Sequence, residues 1–185
     1  MTDDVLREAN QRMEKTIELF RKNMASVRAG RATPALLDKV QVEYYGTLTP
    51  INQLANISVP EPRTLVLQPW DKTSIEAIEK AILKSDLGLI PNNDGNVIRL
   101  TIPQLTEERR NEIVRSIRKE AEDERVAIRN VRRECNDLLK QKEKNNELTQ
   151  DEVRRLQERI QKLTDEKIAE IDEILAAKEK EILSI

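Results

Sequence analysis

The chain has 185 residues, of which 36% are charged, 38% hydrophobic and 2% aromatic, and its formal net charge is −2. This balance excludes a generic polybasic nucleic-acid binder, and mixed charge with few aromatics is typical of long, solvent-exposed helices. Histidine is absent and cysteine occurs once, so the commonest general base, a disulfide and a multi-cysteine zinc site are all missing. We therefore expect a non-enzymatic protein with no catalytic residues, no metal site and no cofactor.

Glycine and proline divide the chain into three parts. All four Gly and all seven Pro lie between positions 30 and 103. They cost about 1 and about 3 kcal/mol, respectively, inside a helix. This partition predicts a helical domain made of residues 1–29 and 105–185, with a turn-rich domain of residues 30–104 inserted into it.

The first flank carries apolar residues at steps of three or four, which predicts one amphipathic helix. The stripe comprises Leu6, Ala9, Met13, Ile17, Phe20, Met24 and Val27.

The insert alternates apolar and polar residues in short runs, which predicts strands. Such runs are Val40–Tyr44, the stretch around Leu65 and Leu67, and Val97–Ile102. Between them, Ser74–Ser85 has the helical period and opens on a potential N-cap serine. We therefore expect a small β/α/β domain.

Three of the four aromatic residues, Tyr44, Tyr45 and Trp70, belong to the insert. They are suited either to packing in its core or to stacking on nucleic-acid bases, and core packing is favoured.

The second flank contains two further helical stripes, separated by the polar segment 144–149. Thr149 and Glu152 have capping-box spacing at the start of the last helix. One stripe comprises Val114, Ile117, Ala121, Ile128, Val131, Cys135 and Leu138, and Glu124 interrupts it. The other comprises Val153, Leu156, Ile160, Leu163, Ile168, Ile171 and Leu175. Three such faces bury one another most simply in an antiparallel three-helix bundle, which makes the fold α+β.

The two connections between the predicted domains are short. They run through Gly30 and Arg31 on one side and through Pro103, Gln104 and Leu105 on the other. Two short connections between separate cores predict a hinge at these residues.

The segment 125–133 contains four arginines and no acidic residue. Helical spacing places Arg125, Arg129 and Arg132 on one face, with Arg133 beside them. A second basic element, Arg28 to Arg31, lies at the hinge, roughly 35 Å from this patch along the bundle. These arginines form either a solvated face paired with acids of neighbouring helices or a rigid surface for RNA phosphates.

Other candidate sites are weaker. Cys135 lies on an apolar stripe, which favours a buried structural thiol over a nucleophile. No G-x-x-x-x-G-K phosphate loop occurs, and no apolar run reaches the roughly 20 residues that cross a bilayer. The N-terminus has no apolar signal core. We expect a soluble protein of the bacterial cytoplasm with no membrane partner.

Four strings of the chain resemble the ribosome recycling factor family: Val42–Pro50, Ser85–Leu89, Leu105–Arg110 and Arg129–Arg133. The resemblance runs from end to end, with Leu48 and Ile90 replacing an expected Pro and Asn. It implies an L-shaped protein, a three-helix bundle with a hinged β/α/β domain, whose outline resembles transfer RNA.

The resemblance also implies a function. Members of the family bind the bacterial ribosome after termination and, with elongation factor G and GTP, split its subunits for reuse. Their bundle contacts large-subunit ribosomal RNA at the intersubunit face, and the small domain meets elongation factor G. The family's RNA-contacting arginines correspond to Arg28, Arg31, Arg129, Arg132 and Arg133, and we expect a monomer.

Two other classes of function remain open from the residues alone. A coiled-coil adaptor would bind a protein helix with little sensitivity to salt. An enzyme acting through its carboxylates would need a base, metal set or nucleotide site, none of which the sequence shows.

Overall fold

The computed structural model describes residues 2–184, so Met1 and Ile185, which the predicted bundle range included, lie outside the described residues. The helices are α1 (Thr2–Ser26), α2 (Ile75–Lys84), α3 (Glu107–Lys144) and α4 (Gln150–Leu183). The strands are β1 (Gln41–Tyr44), β2 (Thr47–Pro50), β3 (Ala55–Glu61), β4 (Thr64–Pro69), β5 (Pro91–Asn93) and β6 (Ile98–Thr101). Short 3-10 turns span Pro34–Leu37, Ile51–Gln53 and Lys72–Ser74.

The chain forms two compact units. Helices α1, α3 and α4 make up one, which takes the residues up to Arg28 and from Glu107 onward, and Ala29–Thr106 make up the other. The predicted α+β fold, a long three-helix bundle with a small inserted β/α/β domain, is confirmed.

Cross-helix contacts fix the directions in the bundle. Asn23 of α1 donates to Glu120 of α3 at 2.8 Å, and Arg12 pairs with Glu134 at 2.7 Å. Residue numbers rise along α1 as they fall along α3, so these two helices are antiparallel.

Helices α1 and α4 run in parallel. Arg159 lies 3.5 Å from Asp3, and Lys167 lies 3.5 Å from Glu14 further along both helices. The Lys167 side chain is only 11% exposed, so its aliphatic stem is covered while its ammonium group reaches carboxylates at the edge of the bundle.

Most of the predicted core is confirmed, since Met13, Phe20, Ile117 and Ile128 are among the largest fully buried side chains. One prediction on α3 is wrong: Leu138 is 39% exposed, and the next residue, Leu139, is fully buried. A strict alternation of three and four residues drifts by about 20° per heptad from a helix with 3.6 residues per turn. Over the length of α3 this drift moves the stripe by one residue.

Helix α4 also departs from its predicted stripe. Leu163, Ile168 and Leu175 are only half-buried. The buried positions of α4 comprise Val153, Leu156, Ile160, Thr164, Lys167, Ile171, Lys178 and Ile182. The buried face of α4 is thus wider than a single stripe and includes long polar side chains at its borders.

The small unit contains a four-stranded antiparallel sheet in the order β3-β4-β6-β5 and a separate β1–β2 hairpin. One sheet face presents Leu65, Leu67, Ile98 and Leu100 to the core, which also includes apolar residues of α2 and β1. The opposite face of this sheet presents the alternate residues of each strand.

The predicted core packing of the aromatic residues is wrong for two of the three. Trp70 is 69% and Tyr45 is 83% exposed. Trp70 shares the parity of Gln68 and therefore lies opposite the inward-facing Leu67. Tyr45 lies in the two-residue turn of the β1–β2 hairpin with φ 48°, and Tyr44 is half-buried.

The predicted serine cap of α2 is also wrong. Ser74 has helical backbone angles and makes no side-chain capping bond. Asp71 caps the preceding 3-10 turn instead, accepting from the backbone N–H of Thr73 at 2.9 Å and from its hydroxyl at 2.7 Å. The capping box of α4 between Thr149 and Glu152 is confirmed.

Candidate nucleic-acid interface

The arginines of segment 125–133 all lie on α3, but their surroundings differ. Arg125 is largely covered, with 19% of its side chain exposed. Its guanidinium lies 2.6 Å from Asp172 of α4 and 3.0 Å from Glu122 of its own helix. These carboxylates neutralise Arg125, so this arginine connects two helices and has little capacity left for an external anion.

Arg129 is intermediate between a structural and an available arginine. Its Nη1 lies 3.3 Å from Oε1 of Glu122, whose other oxygen accepts from Arg125. The hydrogen bond from Arg125, followed by that from Arg129, lowers the pKa of Glu122 below its ordinary value. Glu122 therefore stays ionised and shares one negative charge between two arginines.

Arg132 and Arg133 are held by neutral groups. Arg132 Nη1 donates to the Gln161 side-chain oxygen at 3.3 Å, and Arg133 Nη1 donates to that of Asn130 at 3.2 Å. Neither arginine forms an ion pair with a carboxylate of residues 2–184. Their positive charge is therefore directed but not neutralised, as a phosphate-binding group requires.

The ion pairs between α3 and α4 form a regular series, which we call the arginine ladder: Arg118 with Glu179, then Arg125 with Asp172. Each rung lies seven residues along α3 and seven back along α4, as expected for antiparallel helices with a heptad repeat. The sequence analysis left open that the arginines pair with acids of neighbouring helices, but it did not identify Glu179 and Asp172 as the partners. Arginines seven residues apart on α3 and acids seven residues apart on α4 can be read from the sequence, but only the register between the helices shows which arginine faces which acid.

Arg28 and Arg31 lie in the irregular segment after α1 and are exposed. Both interact with other groups of the protein. Because Asn23 pairs with Glu120, the end of α1 lies level with a point about 15 residues, or roughly 22 Å, from Arg132 along α3. Helix α3 begins at Glu107, about ten residues beyond the level where α1 ends.

Two backbone hydrogen bonds mark where the connecting segments enter the small unit. The N–H of Ala32 donates to the Pro62 carbonyl, and that of Ile102 donates to the Arg63 carbonyl, each at 2.7 Å. Both connections are thus fixed to the same β3–β4 turn. Gly30, just before the first anchor, has φ 78°, a left-handed conformation that glycine adopts without strain.

The remaining candidates give simpler results. Cys135 is buried, and burial raises the pKa of its thiol, which is the environment of an inert structural cysteine. Among residues 2–184, no group of three or more His, Cys, Asp or Glu side chains is arranged to hold a metal ion. Within the same range, no helix has the length and apolar content needed to cross a membrane.

Comparison with known proteins gives consistent matches over the whole chain. The family model described as "Ribosome recycling factor" matches residues 20–183. The ribosome-recycling factor of Carboxydothermus hydrogenoformans is 61% identical over 185 residues, covering 100% of both chains. That of Syntrophomonas wolfei is 60% identical with the same coverage.

Two solved structures are also similar. A solution structure of the ribosome recycling factor has a TM-score of 0.79 and 47% identity, covering 100% of this chain and 98% of that one. The second has a TM-score of 0.65 and 49% identity, covering 99% of each chain. It comes from models of the Thermus thermophilus ribosome recycling factor and Escherichia coli elongation factor G bound to the E. coli post-termination complex.

Proposed function

Because the chain belongs to the ribosome recycling factor family, we propose that it binds the post-termination ribosome and, with elongation factor G and GTP, splits it into reusable subunits. It is a translation factor, and we assign it no catalytic residue of its own. In this scheme elongation factor G binds the GTP, and the chain acts as a monomer with ribosomes in the cytoplasm.

The observation that carries this proposal is the state of Arg132 and Arg133. Both lie on a long, regular helix, and both are oriented by neutral side chains that leave their charge available. A guanidinium held in this way gains a charge-assisted hydrogen bond when a phosphate oxygen approaches, without first breaking an ion pair. Structured RNA is recognised chiefly through such backbone and shape contacts.

We assign the contact with large-subunit ribosomal RNA at the intersubunit face to Arg28, Arg31, Arg129, Arg132 and Arg133. In this group Arg132 and Arg133 dominate, since Arg129 must first give up its share of Glu122. Arg28 and the three arginines of α3 belong to the helical unit, and binding through separate points on this unit resists rotation better than binding through a single patch.

The hinge in this proposal consists of Gly30, Arg31, Pro103, Gln104 and Leu105. The backbone hydrogen bonds of Ala32 and Ile102 fix both connecting segments to the β3–β4 turn. The hinge residues lie just outside these anchors, at the points where the chain passes between the two units. Movement there lets elongation factor G push the small unit while the bundle stays on the RNA.

The direct test of the RNA contact is the affinity for large ribosomal subunits as a function of salt. Arg132→Ala and Arg133→Ala should each weaken binding and reduce the salt slope by up to about one unit per lost phosphate contact. The matched control is Arg154→Ala, which removes an exposed arginine of α4 that pairs with Glu158. Equal effects of all three substitutions would contradict a specific arginine surface.

A helix-binding adaptor is the alternative that this experiment also addresses. Such a protein would bind its partner with little dependence on salt, and it would not sediment with ribosomes. Salt-sensitive sedimentation with large subunits therefore favours recycling, and its absence favours the adaptor.

A further inference from the structure

The arginine ladder stops where its third rung should form. Counting seven residues from Arg125 along α3 gives Arg132, and counting seven back from Asp172 along α4 gives Asp165. The two existing rungs predict an ion pair between Arg132 and Asp165, yet Arg132 pairs with no described carboxylate. Asp165 is present at the expected position on α4, but Arg132 donates to Gln161, four residues before it, instead.

The side chain of Gln161 is bonded at both ends. Its oxygen accepts from Arg132 Nη1 at 3.3 Å, and its nitrogen donates to Asp165 Oδ1 at 2.9 Å. An amide has one accepting and one donating end. The bond to Asp165 therefore fixes which end faces Arg132.

We infer that Gln161 is a positioning residue that keeps Arg132 out of the arginine ladder and so leaves it available to RNA phosphate. The side-chain nitrogen of Gln161 donates a hydrogen bond to the Asp165 carboxylate, and its oxygen offers Arg132 a neutral acceptor in place of that carboxylate. The guanidinium is thus oriented without losing its charge to a carboxylate. The inference deepens the proposed function and rests on it for its consequence at the ribosome, but the rearrangement itself belongs to the free protein.

The other arginines of the face supply the comparison within the molecule. Arg125 occupies an intact rung and is covered by two carboxylates. Arg132 has the same residue type, the same helix and the equivalent heptad position, but it faces an amide. The difference lies in the partner on α4. Arg125 pairs with the carboxylate of Asp172, whereas Arg132 donates to the amide of Gln161, which lies between it and Asp165.

Removing the amide should complete the ladder. In Gln161→Ala, Arg132 reaches Asp165, and affinity for large ribosomal subunits falls by about two- to fivefold, the fold-change that corresponds to one exposed ion pair. In Gln161→Ala with Asp165→Asn the competing carboxylate is gone, so the affinity returns toward that of the wild type. Gln157→Ala on the same helix is the matched control, because Gln157 makes no side-chain hydrogen bond among residues 2–184.

A second measurement tests, in the free protein and without ribosomes, whether Gln161 keeps Arg132 from pairing with Asp165. Thermal unfolding of the bundle gives a double-mutant cycle between Arg132→Ala and Asp165→Asn. With Ala at 161 the two substitutions should be coupled, because they remove one ion pair. With Gln at 161 the coupling should be clearly smaller.

The possible outcomes separate the two claims. Wild-type ribosome binding by Arg132→Ala would overturn the proposed role of Arg132, and the unfolding cycle would still decide whether Gln161 blocks the third rung. Weak binding by Arg132→Ala together with unchanged binding by Gln161→Ala would overturn the inference alone. Equal coupling in both backgrounds would also overturn it.

Discussion

Arg125 Nη2 lies 2.6 Å from Asp172 Oδ1 across the α3–α4 interface, so the first arginine of segment 125–133 belongs to the bundle itself. Arg125→Ala should therefore destabilise the helices, through lost packing and a lost ion pair, and should leave ribosome affinity of the folded protein nearly unchanged. A loss of about 1 kcal/mol corresponds to a decrease in Tm of about 2–4 °C for a chain of this size.

The check is helical circular dichroism on heating, with Arg132→Ala as the counterpart. Arg132→Ala should weaken ribosome binding and change Tm little. If Arg125→Ala weakens binding as much as Arg132→Ala does, the division between structural and available arginines is wrong.

Glu122 restrains Arg129, and removing its charge should strengthen the RNA contact. In Glu122→Gln, Arg129 loses its carboxylate partner, so affinity for large subunits should rise at low salt. The salt slope should steepen by up to about one unit. The measurement is a binding titration at several salt concentrations.

The control variant Glu158→Gln tests whether the gain in affinity comes from the change in net charge alone. Glu158 pairs with Arg154 on α4, so the control makes the same charge change beside a different arginine. Equal gains in the two variants would show that only net charge matters.

Glu124 interrupts the apolar stripe of α3 and is half-buried. Burial, with the neighbouring charges of Glu120 and Asp123, raises the pKa of its carboxyl above the ordinary value. The folded state therefore holds this proton more tightly than the unfolded state, and its contribution to stability falls as pH rises from the ordinary pKa through the raised one. Glu124→Gln should raise Tm near neutral pH.

The pH dependence provides the contrast. At a pH well below the ordinary glutamate pKa of about 4.3, the wild-type carboxyl is protonated in both states, so the advantage of Glu124→Gln should vanish there. Glu166→Gln, at an exposed position of α4, makes the same change without burial. An equal gain from Glu166→Gln, or a gain from Glu124→Gln that does not depend on pH, would rule out burial as the cause.

Leu67 is buried within β4, whereas Trp70, the first residue after this strand, is exposed, and their truncations should differ sharply. Leu67 is fully buried, so Leu67→Ala should cost about 2–5 kcal/mol of unfolding free energy. Trp70→Ala should cost much less, because the indole is exposed. Urea unfolding of the two variants, followed by far-ultraviolet circular dichroism, makes the comparison, and similar losses would place Trp70 in the core after all.

The helices and their directions follow from the sequence because Gly and Pro are confined to one segment and the apolar spacing is regular. The errors arose where the spacing of residues in the sequence does not fix which face of a helix or strand a side chain lies on. Counting in heptads predicted Leu138, rather than Leu139, as the buried residue. In a long helix with 3.6 residues per turn, the buried face moves gradually away from such a strict seven-residue repeat. Trp70 was assigned to the core by residue type, although the alternation set by Leu65 and Leu67 already placed it on the outer face.

The arginine face was recognisable from the sequence, but the differences within it were not. Which arginine is neutralised depends on the register between α3 and α4, and that register is a property of the packed bundle. Asp172 and Gln161 are distant from α3 in sequence, and only the antiparallel pairing brings them opposite Arg125 and Arg132. No local motif carries this information.

The most direct test of the recycling function is light scattering from post-termination ribosomes mixed with this protein, elongation factor G and GTP. We predict a decrease in scattering, as subunits separate, only when all three components are present. Arg132→Ala should slow the decrease, whereas Arg154→Ala should not. Tight, salt-sensitive binding with no splitting, using an elongation factor G from a close relative, would contradict the assignment of this chain as a recycling factor.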